Sequence, residues 1–219
     1  MSVNNLQKAS LAAAAGTAGT SGAVRENPAP SEVERAVDAL IAKIKDTNDK
    51  VRTEAWLGAG QASAPAVKPL ARVMTDEELE VARAAKNGLW KIVRHSGRPG
   101  ADDEKKAVVA ELMGLLGNDQ PMPVRREVLW MLSEIGAEES IKPIAVLLSN
   151  KELQEDTRMV LQRIPGRKSV AALEAGLKAA PEDFKLNIAQ SLRQRGAKVR
   201  GLACVKLVPT KKTDVKPLQ

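Results

Sequence analysis

Aromatic, cysteine and histidine residues are scarce in this 219-residue chain. Phe and Trp make up 2% of it and Tyr is missing, which argues against the bulky core of a barrel or sandwich. The one cysteine, Cys204, excludes a disulfide within the sequence and a CxxC zinc or redox site. The one histidine, His95, removes most metal and acid–base arrangements. No stretch approaches the ~18 apolar residues of a membrane span.

The motifs of catalysis and nucleotide binding are also missing. The sequence contains no GxGxxG, GxxxxGKS, HExxH or GxSxG segment. Nothing in the sequence brings His95 and Cys204 together as a nucleophile and base. We therefore predict a protein that is not an enzyme and that uses no metal and no cofactor.

The net charge of +7 is concentrated near the end of the chain. Residues 31–180 contain 23 basic and 23 acidic residues, whereas residues 181–219 contain nine basic and three acidic ones. A domain that binds duplex phosphates generally carries its positive excess on the binding element itself. The distribution therefore argues against a nucleic-acid interface in the middle of the chain.

The stretch 118–148 reads as two short helices. In the first, apolar residues follow the spacing of one helical face, at Val124, Val128, Met131, Leu132 and Ile135. We expect Gly136 to end this helix in the left-handed conformation. The second helix is expected to start near Pro143, where a missing N–H costs little. Neither helix can bury its apolar face alone.

Further copies of this helix pair in the sequence can cover these apolar faces. The first helices align at Val51, Val81, Val124, Leu153 and Phe184, and every step except that from Val81 to Val124 is close to the same length. The second helices align as AVKPLARVM (66–74), SIKPIAVLL (140–148) and SVAALEAGL (169–177). A two-helix repeat of roughly 30 residues predicts an all-α fold, an α-solenoid of about five repeats.

The repeat resembles a known family. The segments VRTEAWLGAG (51–60), EVARAAKNGLWKI (80–92) and VRREVLWMLSEIG (124–136) are similar to the short bacterial HEAT-like repeats also found in phycobilisome lyases. The resemblance implies a HEAT-like superhelix that supplies a binding surface, because this family mostly mediates protein binding and scaffolding.

Three regions follow from composition and repeat positions. Residues 1–30 read as a flexible Ala/Gly/Thr/Pro leader, 31–196 as the repeat domain and 197–219 as a basic tail. We expect a cytoplasmic monomer; export by a weak Ala-rich N-terminal signal is the alternative.

The long step from Val81 to Val124 contains one insertion. Its extra residues fall in RHSGRPGADDEKK (94–106), which we interpret as an insertion loop carrying His95 and Arg98. Such insertions lie on one edge of a solenoid and can form part of a binding surface.

Two tryptophans lie off the apolar face of their helices. Counting about 100° per residue from the first apolar residue, the core face spans roughly −20° to 80°, with Trp90 at about 180° and Trp130 at about 240°. First helices usually line the concave side of such a stack. The candidate partner-binding residues on this side are Arg83, Trp90, Arg94, Arg126, Trp130 and Arg193.

Several functions remain open at this point. An off-face Trp can pack against a neighbouring repeat, or it can anchor a protein partner in the concave groove. The alternative is nucleic-acid binding through the same Arg/Trp face and the basic tail, as in HEAT-like alkylpurine DNA glycosylases. A phycobilisome-lyase-like chaperone is a third possibility, although no pigment pocket is identifiable.

Overall fold

A computed structural model describes residues 31–204, which form ten α-helices and no strand. The helices are α1 Glu32–Ile44, α2 Asp49–Gly58, α3 Val67–Val73, α4 Leu79–Ser96, α5 Asp102–Met113, α6 Met122–Ile135, α7 Glu138–Ala145, α8 Gln154–Arg163, α9 Arg167–Ala179 and α10 Glu182–Gln194. Short 3₁₀ segments, Ala59–Ala62, Ala64–Ala66 and Val146–Ser149, lead into α3 and follow α7. The predicted leader and most of the predicted tail lie outside the described residues.

The helices alternate between two layers. We call α2, α4, α6, α8 and α10 the A helices, and α1, α3, α5, α7 and α9 the B helices. Each A helix packs against the A helix of the next repeat, and each B helix against the next B helix. The predicted all-α solenoid of two-helix repeats is therefore confirmed.

The core lies between the two layers and runs continuously through the stack. The repeated apolar positions of the A helices are buried as the alignment predicts, at Ala55, Ala85, Leu89, Ile92, Val128, Leu132, Val160, Leu161, Ile188 and Leu192. Burying a Val, Leu or Ile side chain contributes about 1.5–3 kcal/mol relative to leaving it exposed. Because neighbouring repeats supply the covering atoms, each repeat depends on the next for its stability.

Recurring polar residues join one repeat to the next. The side-chain oxygens of Asp46, Asp76 and Asn150 accept a hydrogen bond from the backbone N–H two residues on, at 2.7, 3.2 and 3.0 Å. The arginine of the Val-Arg motif reaches back to the end of the preceding B helix: Arg52 donates to the Asp46 carbonyl at 2.8 Å, and Arg125 to the Leu116 carbonyl at 3.1 Å. The motif is therefore explained by its contacts between repeats.

The junction between α6 and α7 differs from the prediction. Gly136 has φ −60°, so it is not a left-handed cap. A Cβ at Gly136 would lie 2.4 Å from the Leu132 carbonyl oxygen and 2.9 Å from Ser140 Oγ, so close approach explains the glycine. Helix α7 begins at Glu138, and Pro143 lies inside it rather than at its start. The acidic first turn of α7 complements the helix dipole there.

The predicted insertion loop is largely helical, and the placement of His95 in it was wrong. Helix α4 is 18 residues long and His95 lies in its last turn. This turn packs closely against the preceding repeat, since a Cβ at Gly60 would lie 3.0 Å from the Cβ of His95. Only 97–101, which includes Arg98, connects α4 to α5. The extra residues therefore mainly lengthen the end of α4 and the start of α5.

A candidate partner-binding face on the A helices

Side chains of consecutive A helices meet along two flanks of each helix. We give each residue an angle around its helix by the same count of about 100° per residue. Residues that contact the next A helix lie at about 140–200°, and the residues they contact on that helix lie at about 280–340°. The pairs that define these flanks are Trp56–Lys91, Lys86–Glu127, Trp90–Glu127, Arg126–Asp156, Arg158–Ser191 and Asn187–Glu155. The outer sector between the two flanks, from about 200° to about 280° on the same helical count, faces neither the core nor a neighbouring A helix. We call it the open sector.

Trp90 lies on a flank and is fixed between two repeats. Its Nε1 donates to Oε1 of Glu127 on α6 at 2.6 Å. The other oxygen of Glu127 accepts from Lys86 Nζ at 2.8 Å, and the Glu127 side chain is only 18% exposed. The guanidinium of Arg94 lies over the Trp90 ring, 5.2 Å from its centroid. Trp90 thus connects α4 to α6, as expected for a tryptophan that packs against a neighbouring repeat.

Trp130 has a different environment, at the centre of the open sector. Its side chain is partly exposed, and its indole N–H has no acceptor among residues 31–204. The same position in the other A helices is Leu57, Asn87, Met159 and Gln190. Leu57 is 50% exposed and Met159 is partly exposed. Three of the five copies therefore present an apolar side chain in the open sector.

Two of the candidate arginines are held by carboxylates of their own chain. Arg83 pairs with Glu80 on the same helix at 2.7 Å. Arg126 donates from Nε to Asp156 at 3.1 Å and from Nη2 to the Glu152 carbonyl at 3.0 Å, so it joins α6 to α8. Both side chains are at least half exposed. They border the open sector, but much of their charge is already compensated.

Arg193 binds backbone carbonyls of residues that follow α10. Its Nη2 donates to the Leu202 carbonyl at 2.6 Å and its Nη1 to the Ala203 carbonyl at 3.5 Å. The neighbouring Arg195 donates to three carbonyls at the end of α8, those of Gln162, Ile164 and Gly166. Arg193 is therefore not grouped with Trp90 and Trp130. Both arginines hold the C-terminal part of the described stack together.

The α4–α5 connection carries two basic side chains beside one carboxylate. Arg98 Nη2 lies 2.7 Å from Glu104 Oε2, and His95 Nε2 lies 3.9 Å from Oε1 of the same carboxylate. The hydrogen bond from Arg98 lowers the pKa of Glu104 below its ordinary value, against the opposing effect of burial, and the charge of His95 adds to the lowering. Glu104 is thus an ionised partner for two basic groups rather than a poised acid.

Among residues 31–204 no three His, Cys, Asp or Glu side chains come together as a metal would require. Of the helices in this range, none combines the length and apolar character needed to cross a bilayer.

From the sequence we did not identify two open-sector residues, Leu57 and Met159, or two flank residues, Lys91 and Glu127. Leu57 and Met159 share with Trp130 the sixth place after the first apolar residue of the repeat, so the alignment contains this signal. Glu127 binds Trp90 from 37 residues away, and only the packing of α4 on α6 identifies it.

No protein-family model and no curated protein sequence matches the chain. Among solved structures it is similar to a designed armadillo repeat protein, YIII(Dq.V1)4CPAF in complex with peptide (KR)4, at 19% identity and a TM-score of 0.41, over 74% of this chain and 82% of that one. It is also similar to computationally designed armadillo repeat proteins for modular peptide recognition, at 18% identity and a TM-score of 0.40, with the same coverage. The similarity is one of helical repeat architecture alone.

Proposed function

We propose that this chain is a noncatalytic protein-interaction module. A segment of a partner protein binds along the open sectors of the A helices, on what we expect to be the concave side, with Trp130 as its central contact. The observation that supports this most directly is the environment of Trp130. Large aromatic side chains with an available polar group are the usual anchors of protein interfaces.

The spacing of the helices suits an extended partner segment. Packed helices lie about 8–10 Å apart, and an extended chain rises about 3.3 Å per residue, so roughly three residues of a partner span one repeat. Leu57 and Met159 occupy the same open-sector position as Trp130 on α2 and α8. The partner would thus meet apolar side chains at intervals along its length.

Capture from the native cell, followed by mass spectrometry, tests this proposal with the full chain as bait. Trp130→Ala should remove the partner, with an affinity loss of about tenfold or more, as for an interface anchor. Val146→Ala is the matched control, because Val146 is an apolar side chain 69% exposed on the B layer. Equal capture by the wild type and Trp130→Ala would refute the proposal. Trp90→Ala is a poor probe because it also breaks the contact with Glu127.

Nucleic-acid binding is the alternative that the same bait can exclude. A gel shift that is strong at ~50 mM salt and lost by ~200 mM salt would favour it, because phosphate contacts release counterions. We expect no shift. Arg83 and Arg126 on the A layer are paired with carboxylates, so much of their charge is not available to a phosphate backbone.

A further inference from the structure

We infer that the partner segment is acidic and that Lys91 and Arg94 of α4 bind its carboxylates. This inference rests on the proposed function and adds the chemical class of the partner.

Two cations of α4 lie on indole rings instead of carboxylates. Lys91 Nζ lies 5.7 Å from the centroid of the Trp56 ring, and Arg94 Cζ lies 5.2 Å from that of Trp90. Among residues 31–204 no carboxylate oxygen comes within 4.0 Å of either cationic group. An aromatic face attracts a cation without neutralising its charge. Both side chains are therefore oriented and still able to pair with an anion.

The carboxylate that binds Trp90 is already engaged on both oxygens. Glu127 uses one oxygen for Trp90 and the other for Lys86. Glu127 is therefore not free to compensate Lys91 or Arg94.

The spacing of the two cations matches an extended acidic segment. Residues three apart on a helix have their Cβ atoms about 5–6 Å apart. Alternate residues of an extended chain lie about 6.5 Å apart and point to the same side. Carboxylates at alternate positions of a partner can thus reach both Lys91 and Arg94.

Fluorescence anisotropy with synthetic peptides tests this inference on the full chain. The probe is a short labelled peptide in which glutamate and leucine alternate, and its control has glutamine in place of each glutamate. Binding of the glutamate peptide at ~50 mM salt should weaken about tenfold or more in Lys91→Glu/Arg94→Glu, and should weaken at ~200 mM salt. Lys142→Glu/Lys178→Glu changes the net charge equally on exposed B-layer positions and should leave binding within about twofold.

Circular dichroism reports whether the charge-reversal variant folds. If it does not, Lys91→Gln/Arg94→Gln replaces it, because this variant removes the two charges and keeps polar side chains on the indole rings. The inference is overturned if the glutamate peptide does not bind, if the glutamine peptide binds as tightly, or if the two reversal variants lose affinity equally. It is also overturned if single-stranded DNA binds more tightly than the glutamate peptide and depends on Lys91 and Arg94. Cellular capture that depends on Trp130 but not on these cations would overturn the inference and leave the proposed function intact.

Discussion

The hydrogen bond between Trp90 and Glu127 should stabilise the stack measurably, and its strength can be worked out from its environment. The indole N–H is partly buried and donates at 2.6 Å to a carboxylate that is 18% exposed. A hydrogen bond to a charged group contributes about 1.5–3 kcal/mol. The Lys86 ion pair is 46% exposed on the lysine side and adds no more than about 0.5 kcal/mol. Glu127→Leu should therefore cost about 2 kcal/mol, or about 4–8 °C in Tm.

A double-mutant cycle isolates this hydrogen bond. Trp90→Phe keeps an aromatic ring but removes the N–H, so we expect a coupling energy with Glu127→Leu of about 1–2 kcal/mol in urea unfolding. The corresponding cycle with Lys86→Met should give less than about 0.5 kcal/mol. Because solenoid repeats can unfold separately, hydrogen exchange of the α4 and α6 amides is the second readout. A Trp90–Glu127 coupling near zero would refute the assignment of Trp90 to the contact between repeats.

Other substitutions test the remaining contacts. Gly136→Ala should destabilise by about 2 kcal/mol or more, because its Cβ would meet a carbonyl oxygen at 2.4 Å, whereas Gly58→Ala, with no atom within 4 Å, should be neutral or stabilising by up to about 1 kcal/mol in thermal unfolding. Equal effects would contradict this. Arg195→Ala removes three hydrogen bonds to the end of α8 and should cost about 2 kcal/mol, with faster hydrogen exchange in α10; unchanged exchange would count against the contact. The hydrogen bond from Arg158, with its charge and a bond from Asn187, lowers the pKa of Glu155 despite partial burial. This stabilisation is present above the unfolded pKa of about 4.3 and is lost as pH falls through the folded value, so the stability curves of wild type and Glu155→Gln should converge in acid. Parallel curves would refute it.

The fold could be predicted because its main determinant is the regular spacing of apolar residues along the sequence. Apolar residues of one A helix, such as Val124, Val128 and Leu132, recur at fixed offsets in each copy and are buried where the offsets predict. The failures lie where distant atoms decide the outcome. The conformation of Gly136 depends on the approach of Ser140. The helical state of His95 is accompanied by packing against Gly60 of the preceding repeat.

The sequence predicted the side of the helix on which each tryptophan lies, but not the residues that each tryptophan contacts. Both Trp90 and Trp130 were expected off the core face; Trp90 packs against the core and Glu127, whereas Trp130 is not among the side chains packed against the core of residues 31–204. Trp130 lies about 60° further around its helix than Trp90. This difference places Trp90 on a flank that meets the next A helix and Trp130 in the open sector. No local pattern shows that Glu127 lies opposite Trp90, because that contact depends on how far α6 is displaced along α4.

The stacking of repeats separates structural from recognition roles by position, and Lys91, a flank residue that we propose also binds a partner, is the exception. Each A helix uses one face for the core and two flanks for its neighbours, and substitutions there disturb the stack, as Trp90 and Glu127 illustrate. Only the open sector can change without loss of these contacts. A side chain in that sector that is large, apolar and without a hydrogen-bond partner therefore lacks the polar contact between repeats that fixes Trp90. Trp130 meets this description, while its counterparts Asn87 and Gln190 are polar side chains suited to solvent. The contrast among equivalent positions, rather than the presence of a tryptophan, is what supports our proposal that Trp130 binds a partner.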